Sequence, residues 1–260
     1  MLLKDKNAVI YGAGGSIGST VARAFARDGA KVFLAGRTLP KLAALTEEIS
    51  AAGGAAEAAQ VDALDPGAIE GHLAAIVEKA GRIDISFNAI WIRGDLQGTP
   101  LIQMPYEDFT LPVLTGVKTH FLTATAAARH MVRQRSGVIL TLSSSSSVLS
   151  GRDRRYHLTG GFSTACAAIE ALSRSLAGEL GPQGIRVVCL RPDAIPETWA
   201  AAREGDRTLT EVRTYMENGT VLGRLPTLEE VANAAVFMAS DRASAMTGTI
   251  ANLSCGSIMD

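Results

Sequence analysis

Apolar and polar residues alternate along the chain in two rhythms. Short, β-rich apolar runs are separated by longer stretches in which apolar residues recur every third or fourth position. Asn7 to Tyr11, Lys31 to Ala35, Ala56 to Val61 and Ile83 to Phe87 read as the first four strands. Val138 to Leu142 and Ile185 to Leu190 read as buried strands five and six, with a last strand near Ile250. Helical spacing appears in Ile17, Val21, Ala24 and Phe25, in Leu39 to Ala52, from Pro66 onward and in Leu228 to Ser240. Phe162, Ala165, Cys166, Ile169, Leu172, Leu176 and Leu180 form one long apolar helix face. Strands alternating with helices predict a parallel sheet with crossover helices. The polar stretch 193–222 breaks the periodicity and reads as a loop or lid. No linker or repeat interrupts the pattern, so a single domain covering 1–260 is expected.

Composition narrows the function classes. Hydrophobic residues make up 47% and charged residues 20%, the balance of a globular protein able to bury its own core. A formal net charge of −1 offers no field for nucleic acid or an anionic membrane. Cys166, Cys189 and Cys255 are far apart and form no Cys-x-x-Cys pair, which fits a reducing compartment and argues against zinc or disulfides. His72, His120 and His130 show no metal-ligand spacing. A charged N-terminus and the lack of a long apolar run make a cytoplasmic location the expectation.

The first strand leads into Tyr11-Gly12-Ala13-Gly14-Gly15-Ser16-Ile17-Gly18 and then a helix. Glycines there let the backbone turn tightly and approach a pyrophosphate, while the helix N-terminus offers unpaired N–H groups and a positive dipole end. A tight turn without a ligand would use the same residues, but the position directly after strand one favours a dinucleotide. Strand two ends in Ala35-Gly36-Arg37, where such a fold meets the adenosine ribose. No carboxylate is present for a 2′-hydroxyl, whereas Arg37 can pair with a 2′-phosphate, so NADP(H) is expected over NAD(H).

These motifs together resemble the short-chain dehydrogenase/reductase family across nearly the whole chain. Gly12-x-x-x-Ser16-x-Gly18 is similar to its glycine loop, and Val61-Asp62 to its adenine-contacting Asp. Asn88 falls on the first Asn of its Asn-Asn-Ala-Gly, which here reads Asn88-Ala89-Ile90-Trp91. Gly223-Arg224-Leu225, Glu229 to Asn233 and Thr247-Gly248 resemble its C-terminal pattern. The resemblance implies a doubly wound, Rossmann-type sheet of order 3-2-1-4-5-6-7, with a dimer interface on the helices around 121–131 and 169–180.

The family's chemistry rests on Ser, Tyr, Lys and Asn. Aligning Ala167 to Leu172 and Glu179-Leu180 with the family helix puts Phe162 at the Tyr position and Cys166 at the Lys position. Phe109 as anchor puts Gly116 at the Asn position. Ser144 remains, with Ser143 one residue away, and Pro192-Asp193 replaces Pro-Gly. Phenylalanine has no proton to give, and positioned acid catalysis is worth about 10²–10⁴-fold. Phe162 and Cys166 then read as packing residues. Cys166 has no partner histidine at a recognisable spacing to make it a nucleophile. Tyr156 and His157, in the basic segment 151–157, are candidate substitute donors, although Gly160 stands where a lysine partner of Tyr156 would be. Its three arginines can also hold an acidic substrate group. Two readings stay open: an NADP(H)-using oxidoreductase of atypical mechanism acting on a small carbonyl or alcohol, and a silent dinucleotide binder with a sensing, regulatory or structural role. A homo-oligomer, dimer or tetramer, is expected in either case.

Overall fold

The apolar runs form seven strands: β1 (Asn7–Tyr11), β2 (Lys31–Gly36), β3 (Ala55–Gln60), β4 (Ile85–Asn88), β5 (Gly137–Leu142), β6 (Ile185–Pro192) and β7 (Ile250–Leu253). A computed structural model describes residues 1–149, 151–152, 158–199 and 207–259. Every ladder is parallel, in the order β3-β2-β1-β4-β5-β6-β7. The strand order reverses direction between β1 and β4, which opens a crevice at their carboxyl ends.

The helices are α1 (Ser16–Arg27), α2 (Leu39–Ala51), α3 (Pro66–Ala80), α4 (Tyr106–Gln134), α5 (Ser146–Leu149), α6 (Gly160–Leu180), α7 (Arg207–Asn218) and α8 (Leu228–Ala239). Successive residues of a strand face opposite sides, and here both sides are apolar. Ala8, Ile10, Val32 and Leu34 pack under α1, α2 and α8, whereas Val9, Tyr11, Phe33 and Ile139 pack under α3, α4 and α6. One domain with helices on both faces follows.

Local chemistry sets the ends of the helices. Asp65 caps α3 by accepting the Gly67 and Ala68 N–H groups, Pro66 starts it, and Gly81 ends it at φ +80°. Thr227 and Glu230 form a reciprocal capping box at α8. At the start of α6 no side chain fits: a Cβ on Gly161 would lie 2.0 Å from the Phe109 carbonyl oxygen. Backbone meets backbone there, which seats α6 directly on α4.

The stretch 193–222 holds more order than its sequence pattern predicts. It includes α7, whose Val212, Tyr215 and Met216 turn inward at helical spacing while charged residues cover the other face. Its low apolar content hides the period, and only this narrow stripe reaches the protein.

Candidate active site and cofactor cleft

The crevice begins where β1 meets α1. Gly12 has φ +77°, and a Cβ there would stand 2.7 Å from the Ala89 carbonyl oxygen, so only glycine lets the two loops pass. A Cβ on Gly18 would lie 2.4 Å from the Gly12 carbonyl oxygen, so the first turn of α1 rests on the same loop. Because α1 begins at Ser16, the N–H groups of Ser16, Ile17 and Gly18 lack acceptors within the helix and gather at its positive end.

Beside this turn lies a cleft of about 620 Å³, within the range typical of small-molecule and cofactor sites. Gly12, Gly14 and Gly15 line its middle. Gly36, Arg37, Thr38 and Lys41 line one end together with Val61, Asp62, Ala63 and Leu64. Ala89, Ile90, Trp91, Arg93 and Asp95 line the other, above Thr115 and Thr119 of α4. Arg37 and Lys41 are exposed, which puts two cations at the β2 end. The Asp62 carboxylate accepts the Leu64 N–H at 3.0 Å and stiffens the turn after β3. Asn88 works on the loop behind the cleft: its Oδ1 accepts the Ile90 N–H and its Nδ2 donates to Thr123 Oγ1, each at 3.0 Å. Glycine backbone, a helix N-terminus and two cations fit an anionic dinucleotide.

A second centre forms between α4, α6 and the end of β5. Phe162 and Cys166 stand one turn apart on α6 and pack with Ile92, Ala165, Ile169 and Cys189. The Cys166 sulfur lies within reach of the Ser144 backbone, and burial pushes the thiol up, so it stays protonated. A Cβ on Gly116 would meet the Ile92 side chain at 3.3 Å and those of Ala165 and Ile169 at 3.6 Å. The Ser144 Oγ faces Ser146, accepting its N–H at 3.3 Å. Below them His120 is fully buried; its Nδ1 meets the Gly116 carbonyl at 2.9 Å and its Nε2 receives the Leu142 N–H at 3.4 Å. Those partners assign the neutral Nδ1–H tautomer, and burial lowers the pKa to about 4.

Two buried carboxylates hold the serine loop. Glu170 Oε1 accepts the hydroxyls of Ser143 at 2.9 Å and Ser147 at 2.6 Å, on either side of Ser144. Its Oε2 pairs with Arg191 at 3.3 Å, and Arg191 Nε donates to Asn252 Oδ1 at 2.8 Å. Asp193 accepts Ser145 Oγ at 2.7 Å, Ser257 Oγ at 2.6 Å and both Arg152 terminal nitrogens at 2.8 and 3.1 Å. Burial alone would raise its pKa, but the bonds from Arg152, Ser145 and Ser257 prevail and hold it below the usual carboxylate value.

Of the residues singled out in the sequence, Gly12, Gly14, Arg37 and Asp62 line one cleft, and Phe162, Cys166 and Gly116 surround one apolar centre that the Ser144 backbone adjoins. Tyr156 and His157 lie outside the described residues. Arg152, at the described edge of their segment, is bound to Asp193 and receives the Tyr215 hydroxyl on its carbonyl at 2.7 Å. Sequence reasoning passed over Trp91, Arg93 and Asp95, although the broken Asn-Asn-Ala-Gly pattern marked their place. It also passed over Glu170, a lone carboxylate on the apolar face of α6. Among the described residues no cluster of His, Cys, Asp or Glu suits a metal ion, and no helix is long and apolar enough to cross a membrane.

Known proteins share this architecture. The family model described as enoyl-(acyl carrier protein) reductase matches residues 12–257. The L-rhamnose 1-dehydrogenase (NAD(P)(+)) of Azotobacter vinelandii is 34% identical over 253 residues, covering 95% of this chain and 94% of its own. A short-chain type dehydrogenase/reductase from Mycobacterium marinum superposes with a TM-score of 0.86 at 32% identity, over 99% of this chain and 97% of that one. A gluconate 5-dehydrogenase from Burkholderia cenocepacia, solved with NADP and tartrate, gives a TM-score of 0.86 at 25% identity, over 98% and 96% of the two chains.

Proposed function

The chain belongs to the short-chain dehydrogenase/reductase family of NAD(P)-dependent oxidoreductases, and on that premise we propose that it uses NADP(H) in preference to NAD(H). Its substrate is a small carbonyl or alcohol, and its mechanism does without the family's tyrosine, lysine and asparagine. Arg37 carries the cofactor preference: an exposed guanidinium lines the β2 end of the cleft, and the residues that follow β2 there, Arg37 and Thr38, bring no carboxylate for a 2′-hydroxyl, while the Asp62 carboxylate is engaged with the Leu64 N–H. When bound, a nicotinamide dinucleotide supplies or accepts the hydride. The chain's own groups bind and orient: the glycine turn with Ser16, Ile17 and Gly18 takes the pyrophosphate, Asp62 and Asn88 shape the two ends of the cleft, and Ser144 meets the substrate oxygen.

Phe162, Cys166 and Gly116 take the places of Tyr, Lys and Asn. Their meeting around one apolar cluster, where Cys166 also reaches the Ser144 backbone, is the observation that supports this assignment. A phenyl ring has no proton to deliver and the Cys166 thiol is packed inside the apolar cluster, so the proton comes from water or from Tyr156 or His157. The stretch 193–222, which contains α7, serves as the substrate lid. The same packed centre supports a second reading, a silent dinucleotide binder with a regulatory or structural role. Purified protein incubated with NADPH and a panel of ketones, aldehydes and enones decides between them. Loss of reduced-nicotinamide absorbance with any member establishes the enzyme; calorimetric binding of NADPH without turnover across the panel establishes the binder.

A further inference from the structure

The Tyr11 hydroxyl is buried and has no hydrogen-bond partner among the described residues. Its ring sits at the end of β1, on the side of the sheet that faces α3 and α4. The ladder neighbours do not serve it: Ala35 has no polar side chain, and Asn88 is engaged with Thr123 and the Ile90 N–H. Thr119, on α4, donates its own hydroxyl to the Gly116 carbonyl. A buried hydroxyl without a hydrogen bond is costly, and folded proteins keep few of them. Burial, and then the nearby Glu70 carboxylate, push the phenol pKa up, so the group stays a donor. This donor belongs to the cofactor cleft. Tyr11 lines it together with Ala35 and Ala63 of the same packed layer and with Thr119, all of them buried. Val61 and Ile90 extend these apolar walls, whereas Arg37 and Lys41 stand exposed at the β2 end. An apolar recess with one buried donor suits a flat heteroaromatic base carrying an acceptor nitrogen. A phosphate or a sugar has several polar atoms that would go unpaired there.

We propose that Tyr11 is a cofactor-positioning residue whose hydroxyl donates to a ring nitrogen of the adenine base. This rests on the dinucleotide reading above and adds a contact made by the floor of the cleft rather than by its glycine loop or its cations. The ligand brings the partner that the fold does not supply. The hydroxyl therefore acts with opposite signs on two quantities. It weakens the free protein, as any unpaired buried donor does, and it strengthens binding of adenine nucleotides.

Tyr11→Phe removes the oxygen and keeps the ring. Calorimetric titration with NADPH, and with 2′,5′-ADP as the adenosine half alone, should show both ligands bound about three- to tenfold more weakly by the variant. Thermal denaturation of the ligand-free variant should occur at or above the temperature of the parent. A variant that melts earlier has lost a bond made inside the fold, and that overturns the proposal. Equal affinity of parent and variant for NADPH overturns it too, and leaves the dinucleotide reading standing. Weaker NADPH with unchanged 2′,5′-ADP puts the contact on the nicotinamide half and overturns the adenine assignment. A parent that binds neither ligand overturns the dinucleotide reading and the Tyr11 contact together.

Discussion

Arg37, His120 and Cys166 each turn a feature of the site into a measurable difference. Arg37 stands exposed at the β2 end of the cleft, so Arg37→Ala should weaken NADPH by about tenfold or more, as loss of a charged hydrogen bond implies. NADH should bind the variant as it binds the parent, and equal affinity of the parent for both cofactors would sink the assignment. His120 is neutral in the fold, with a pKa near 4 against an unfolded value near 6.5. The unfolded chain therefore binds the extra proton first on acidification. Stability is complete above the unfolded value and falls by roughly 3 kcal/mol as the pH drops to the folded one. Denaturation of the His120→Gln protein between pH 7 and pH 4 should show a correspondingly flatter profile. At Cys166 the surroundings are apolar apart from the Ser144 backbone and the Glu170 carboxylate one turn on, which is already engaged by Arg191, Ser143 and Ser147. Cys166→Lys should lower stability by several kcal/mol, on the order of the loss for a buried charge without a partner of its own. Adding Phe162→Tyr places a phenol one turn away, which the ammonium would shift toward phenolate. A gain of ketone reduction in the double variant, absent from both single ones, is the expected readout.

Among the elements, α6 does two jobs, one visible in the sequence and one not. Its apolar face at Phe162, Ala165, Cys166 and Ile169 follows from spacing alone, as do β1, β2, β5 and the start of α3 at Pro66. Those elements carry their own instructions: contiguous apolar runs, proline at a helix start, glycine at its end. The ionic network of Glu170 could not be read in this way. Ser143 comes from the loop after β5, Ser147 from α5, Arg191 from β6 and the Asn252 that Arg191 also bonds from β7, and only the assembled sheet brings them together. The pairing of Arg152 with Asp193 is equally non-local, and α7 hides its period among charged residues. Glu170→Ala should lower stability by about 3–5 kcal/mol, because the buried Arg191 loses its counterion. Denaturant titration checks this, and Glu170→Gln, which keeps an acceptor for the serines, should be milder.

On α4, Leu114 is 65% and Phe121 49% exposed, two turns apart on one outward stripe. Phe121 starts the 121–131 stretch that the family resemblance assigns, with 169–180, to a dimer interface, and Leu114 extends the exposed apolar stripe beyond it. Light scattering at micromolar concentration should give at least a dimer, and Leu114→Glu with Phe121→Glu should give monomer with unchanged secondary structure. A parent protein that is only monomeric contradicts the interface.

The position of β7 also bears on how the chain is made. β6 is almost entirely buried, and among the described residues its outer edge is paired by Ile250–Leu253, where Arg191 finds Asn252. While the protein is being synthesised, a six-stranded sheet must wait with that edge unpaired until residues 250–253 leave the ribosome. A nascent chain halted before Ile250 is thus a candidate for edge-to-edge aggregation or chaperone capture, whereas a chain that carries β7 covers its own exposed seam.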